Sequence, residues 1–177
     1  CYFDTPDTEI SFEKLINDEN YVFSRYNFFL ANYLLFKGQN QKAKQLISDS
    51  RKLYNSNLLL KQAENFILSG NSNKIKNFFN CKKAKDNIAE IFYIIANLSA
   101  TQEDYQTSNF FLKISLLLNS KFRSNEALLA ENFFYQKQYE LSKDIYNSIK
   151  SIGSVYSWYA SRSIAVMLLD TAGKELA

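Results

Sequence analysis

From Ala89 to Ser154 the apolar positions recur at helical intervals, and polar stretches interrupt them twice. AEIFYIIANLSATQ (89–102) places Ile91, Phe92, Ile95, Ala96 and Leu98 at i, i+3/i+4 spacing, and SNEALLAENFFYQK (124–137) does the same with Ala127, Leu128, Ala130, Phe133 and Phe134. This period predicts amphipathic helices rather than strands. Each segment leads through a short polar turn into a second helical pattern, EDYQTSNFFLKISLLLNS (103–120) and KQYELSKDIYNSIKSIGS (137–154). Tyr105 and Tyr139 are 34 residues apart, as are Ser108 and Ser142, Leu112 and Tyr146, and Ser120 and Ser154. The chain therefore repeats a helix–turn–helix unit. A unit of this size cannot bury its own apolar face and must stack on a neighbour.

Extending the register places the turns at Gly38, Gly70, Glu103, Lys137 and Gly173, at spacings of 32, 33, 34 and 36 residues. A glycine just past a helix ends it by accepting positive φ; the polar stretches TQED and QKQ take over where glycine is missing. The repeat domain is expected over 24–177, with units near 24–55, 56–86, 89–122 and 123–156 and a partial one at 157–177. Residues 1–23 are expected to form a tail and a packing helix. That helix is SFEKLINDE (11–19), with Phe12, Leu15 and Ile16 on one face, and CYFDTPDTE is expected to be loosely held. The segment Cys81–Asp86 is the expected irregular point, where the second helix of the second unit is cut short.

Composition narrows the function classes. Four Gly and 1 Pro leave too few turn residues for a β-rich or a doubly wound fold. The absence of His removes the commonest general base and metal ligand, and no Ser has a base to activate it. There is no phosphate-cradling loop, and Glu103–Asp104 falls in a predicted turn without a partner acid. No enzymatic activity, cofactor or metal is expected. A net charge of +3 is too mild for a nucleic-acid surface, and the run Lys82–Lys85 is read as a solvated loop. No segment is long and apolar enough to be a transmembrane span. Cys1 and Cys81 do not form a disulfide framework, although a pairing is open to them in an oxidising compartment. The compartment is left between cytoplasm and periplasm, with a lipid anchor if Cys1 is a processed lipoprotein N-terminus. Trp158, Tyr156 and Tyr159 are expected to pack between the last units.

These residues resemble the tetratricopeptide repeat, a 34-residue helix–turn–helix family, and the layout is similar to that of bacterial members of uncharacterised function. Small residues fall at the eighth position of each unit (Ala31, Ala63, Ala96, Ala130). The twentieth position holds Ala43, Ile75, Ser108 and Ser142. Apolar or aromatic residues hold the twenty-fourth (Ile47, Phe79, Leu112, Tyr146). The family's proline near the end of the unit is absent, with Asn55, Ser120 and Ser154 in its place.

The resemblance implies an all-α fold, a right-handed superhelical solenoid of antiparallel helix pairs with about four and a half repeats and an N-terminal helix. It also implies a non-catalytic scaffold that binds a protein or peptide on its concave face. On that face the register puts Arg25, Phe28, Asn32 and Phe36 in the first unit, Tyr93 and Asn97 in the third, and Glu131 and Tyr135 in the fourth. Aromatic rings give contact area at low entropic cost, and an Asn amide can pair with an extended backbone. Phe28 stands where carboxylate-clamping members carry Lys, so a clamp for a peptide's C-terminus is not expected. The alternative reading is a structural or oligomerisation module of a larger envelope or enzyme assembly, with a second copy of the chain as partner.

Overall fold

The computed structural model describes residues 1–17 and 24–175, and among them the chain is helical with no strand. It divides into two compact units, Cys1–Asn87 and Ile88–Ala177.

In the first unit, α1 (Thr8–Ile16) precedes α2 (Ser24–Phe36), α3 (Asn40–Leu53), α4 (Leu58–Leu68) and the six-residue α5 (Asn73–Phe78). Asp18 and Glu19, the expected end of the first helix, lie outside the described residues. Helix α2 is central. Every residue from Asn27 to Leu35 is buried, because α1, α3, α4 and α5 surround it. Such a helix must be apolar nearly all round, and FFLANYLLF is. Its rings meet those of α5 and the residue after it: Phe29 lies 4.5 Å from Phe79 and Phe28 lies 6.4 Å from Phe78. Helix α5 stops at Phe78, and Phe79 is already extended, with φ -150° and ψ 138°. The irregular segment that follows is held by local polar bonds. The Asn80 amide donates to the Asp86 carboxylate at 2.7 Å, and the Asn87 side chain donates to the Cys81 carbonyl at 2.7 Å.

The N-terminal segment is not the loose tail expected from its sequence. Cys1 is disulfide-bonded to Cys81, with Cα atoms 5.7 Å apart. Asp4 accepts a hydrogen bond from the Tyr33 hydroxyl at 2.8 Å and pairs with Lys37 and Lys82 at 3.2 and 3.0 Å. The Tyr33 hydrogen bond first, and those to the Lys82 and Lys37 ammonium groups next, hold the Asp4 carboxyl well below the usual carboxylate range.

Helix α6 (Ala84–Thr101) begins in the first unit and carries the chain into the second, which continues with α7 (Tyr105–Leu118), α8 (Glu126–Tyr135), α9 (Tyr139–Ile149) and α10 (Ser154–Glu175). Its core brings Ala96 of α6, Leu112 of α7 and Leu129 and Phe133 of α8 together. A buried polar chain links α7 to α8. The Asn132 amide donates to Ser108 Oγ at 2.7 Å and to Asn109 Oδ1 at 2.9 Å, and Asn109 donates to Gln136 at 2.9 Å.

Four of the five expected turns share one backbone geometry. Gly38, Gly70, Glu103 and Lys137 all have positive φ, at 77°, 74°, 62° and 60°. At each, the next residue's N–H reaches back to the carbonyl five residues earlier: Gln39 to Leu34, Asn71 to Phe66, Asp104 to Ser99 and Gln138 to Phe133. This is the Schellman closure, which satisfies the carbonyls that a helix end leaves orphaned. Asp104 then caps α7 by accepting from the Thr107 N–H at 3.1 Å. The fifth turn is absent, since α10 runs through Gly173 without a break. A single glycine costs a helix only about 1 kcal/mol relative to Ala, too little to end one of this length. The twelve residues at the eighth, twentieth and twenty-fourth positions of the four units are all buried, none more than 5% exposed.

Candidate functional site

The expected site residues separate into buried and accessible groups. Phe28 is fully buried and Asn32 is 1% exposed, so neither presents a surface to a ligand. Asn32 instead donates to the Ile75 carbonyl at 2.9 Å. Helix α5 ends at Phe78, three residues on, so that carbonyl has no intrahelical donor and the Asn32 amide supplies one. The register put both residues on an open face; the enclosure of α2 by four helices puts them in the core. Arg25 is half-buried, its guanidinium 5.5 Å from the Phe29 ring centre. Phe36 is exposed at the end of α2. In the second unit Tyr93 packs against the core cluster while Asn97 is exposed.

Glu131 and Tyr135 do come together, with Phe134, in a half-open cavity of about 240 Å³. These three residues of α8 follow i, i+3, i+4 spacing and so share one face of the helix. The lining is completed by Tyr159, Arg162, Ser163 and Val166 of α10, at i, i+3, i+4, i+7 and so on one face of that helix, and by Tyr146 of α9. The Tyr146 and Tyr159 rings meet edge to face at 5.8 Å. At the rim, Tyr135 is 60% exposed and stacks on Tyr105 at 5.4 Å.

The electrostatics of the cavity centre on Glu131. Its carboxylate accepts a hydrogen bond from the Tyr159 hydroxyl. Burial raises the Glu131 carboxyl above its ordinary value, and the Tyr159 bond opposes that rise. The Tyr159 hydroxyl is itself pushed up, by burial first and by the Glu131 charge next, and burial likewise raises Tyr146. Arg162 does not neutralise the carboxylate; its guanidinium lies 5.9 Å from the Trp158 ring centre.

Trp158, expected in the core, is 65% exposed, whereas its neighbour Tyr156 is buried. Two residues apart on a helix, the two side chains point about 200° apart, so on α10, which leaves one side open, the inward turn of Tyr156 sends Trp158 outward. The α9 and α10 contributors were not legible as site residues. Tyr146 reads as a packing position, and Tyr159, Arg162 and Ser163 belong to a helix whose register the misplaced Gly173 turn obscures.

Among the described residues no three of His, Cys, Asp and Glu gather to hold a metal ion, and no helix is long and apolar enough to cross a membrane. The chain matches no protein-family model, no curated protein and no solved structure.

Proposed function

We propose that this chain is a tetratricopeptide-like scaffold, a right-handed solenoid of helix pairs that binds a protein or peptide without catalysis. The repeat reading is supported by the burial of all twelve register positions and by the four turns of like geometry. The observation that carries the binding reading is the cavity on α8. Its wall is built from Glu131, Phe134 and Tyr135, first-helix positions of the fourth unit, where members of the resembled family bind their ligands. A half-open cavity with aromatic walls and a few convergent polar groups is the usual form of a recognition site. The Cys1–Cys81 bond favours the oxidising of the two compartments, the periplasm.

The test is selection from a displayed random-peptide library on the full chain, followed by titration against Phe134→Ala and Tyr135→Ala. Peptides that bind the parent and weaken by about tenfold on either change support the reading. An empty selection, or peptides indifferent to both changes, refutes it.

A second reading, an assembly module, is favoured by one observation. Ile88, Ile91, Ile94 and Leu98 lie along α6 and are all exposed. A row of large apolar side chains of this kind marks contact surfaces. Light scattering of the purified chain decides it: a stable dimer that Ile91→Lys dissociates supports this reading, and a monomer at high concentration removes it.

A further inference from the structure

The cavity between α8, α9 and α10 contains a carboxylate without a cation. Glu131 is half-buried and receives one hydrogen bond, from Tyr159, and no ion pair to it occurs among the described residues. The cation in the lining, Arg162, stacks on Trp158. Around the carboxylate stand the rings of Phe134, Tyr135, Tyr146 and Tyr159. Aromatic faces carry negative quadrupole charge and attract cations, the more so when water is displaced. A desolvated anion among such rings forms a site of one sign.

We propose that this cavity takes the ammonium group of a lysine side chain presented by a bound polypeptide. The inference rests on the peptide-binding reading above and names what the pocket reads. Size agrees: about 240 Å³ falls below the roughly 300–1,000 Å³ of pockets for drug-sized ligands and suits one side chain. Lysine fits better than arginine, because one oxygen of Glu131 is already engaged by Tyr159. A planar guanidinium gains most from two free carboxylate oxygens, whereas an ammonium acts as a point charge. An anionic ligand would meet the Glu131 charge directly. Arg162 at the rim repels the proposed ligand, and its removal gives the proposal a sign to test.

The experiment is an amide NMR titration of the isotope-labelled full chain with a peptide capped at both ends, Gly-Ser-Lys-Ser-Gly, to millimolar concentration. Parallel arms use the acetyl-lysine and glutamate versions and free butylamine. The lysine peptide should shift the amides of Glu131, Tyr135 and Ser163, and acetylation should weaken it by about tenfold. Glu131→Gln, with its fold checked by thermal melting, should weaken it by about as much, and Arg162→Ala should tighten it by about two- to fivefold. No binding of the lysine peptide, or equal binding of the acetylated one, overturns the proposal. Tighter binding of the glutamate peptide that Arg162→Ala abolishes overturns it in favour of an anion site. Butylamine binding as tightly as the peptide overturns the requirement for a polypeptide. Library-selected peptides that occupy the cavity without lysine leave the scaffold reading standing and remove this one. Failure of every peptide removes both.

Discussion

The amide of Asn132 donates to Ser108 Oγ at 2.7 Å, from α8 to α7, and both residues are buried. The same amide reaches Asn109 Oδ1. Asn132→Leu keeps the volume and removes the donor, leaving two buried acceptors short of a partner. The expected loss is about 2 kcal/mol in denaturant unfolding. Adding Ser108→Ala should recover part of it, since removing both partners costs less than orphaning one. A double variant as unstable as the sum of the singles would show that the pair does not interact.

Glu103 and Lys137 hold the left-handed conformation that Gly38 and Gly70 hold without strain. Glu103→Gly and Lys137→Gly should therefore each stabilise the chain by about 0.5–1 kcal/mol, although glycine gains entropy when unfolded. Gly38→Ala and Gly70→Ala should destabilise it by about 1 kcal/mol. No atom lies within 4 Å of a Cβ at either site, so the cost comes from φ alone. Equal melting temperatures across these four variants would contradict the assignment.

The same comparison shows what was legible in the chain. Ala31, Ala63, Ala96 and Ala130 mark close helix approach by size alone, and turn residues mark helix ends by local chemistry, so both can be read from neighbours in sequence. The burial of Phe28 and Asn32 depends on α5, more than 35 positions away, folding over α2. The cavity depends likewise on α10 reaching α8. Distance in sequence, not weak patterning, hid them. Gly173 misled because a glycine permits a turn without requiring one.

The Cys1–Cys81 bond spans 80 residues of the first unit. Its reduction, or Cys81→Ser, should lower stability by about 2–5 kcal/mol by releasing that loop in the unfolded chain. Thiol titration of the denatured, unreduced protein should find none free.

Two carboxylates should give opposite pH dependences. Asp4 is depressed, so its contribution is present at neutral pH and is lost as pH falls below about 4. Asp4→Asn should lower the melting temperature at pH 6, and the difference should close towards pH 2. Glu131 is raised, with Tyr159, Tyr146 and Arg162 facing it, so its contribution is present below about pH 4 and is lost as pH rises through its folded value. Glu131→Gln should thus gain stability relative to the parent between pH 4 and pH 7. Parallel melting curves for the two variants would refute the assignments.

The disulfide also fixes how the molecule carries tension. A pull between Cys1 and the second unit travels through the two sulfur atoms and on from Cys81, so residues 2–80 lie off the load path. Roughly 280 Å of contour length, at about 3.5 Å per residue, stays hidden until the bond is cut. The first unit is a spliced loop on a rope, while the helices of the second unit bear the force.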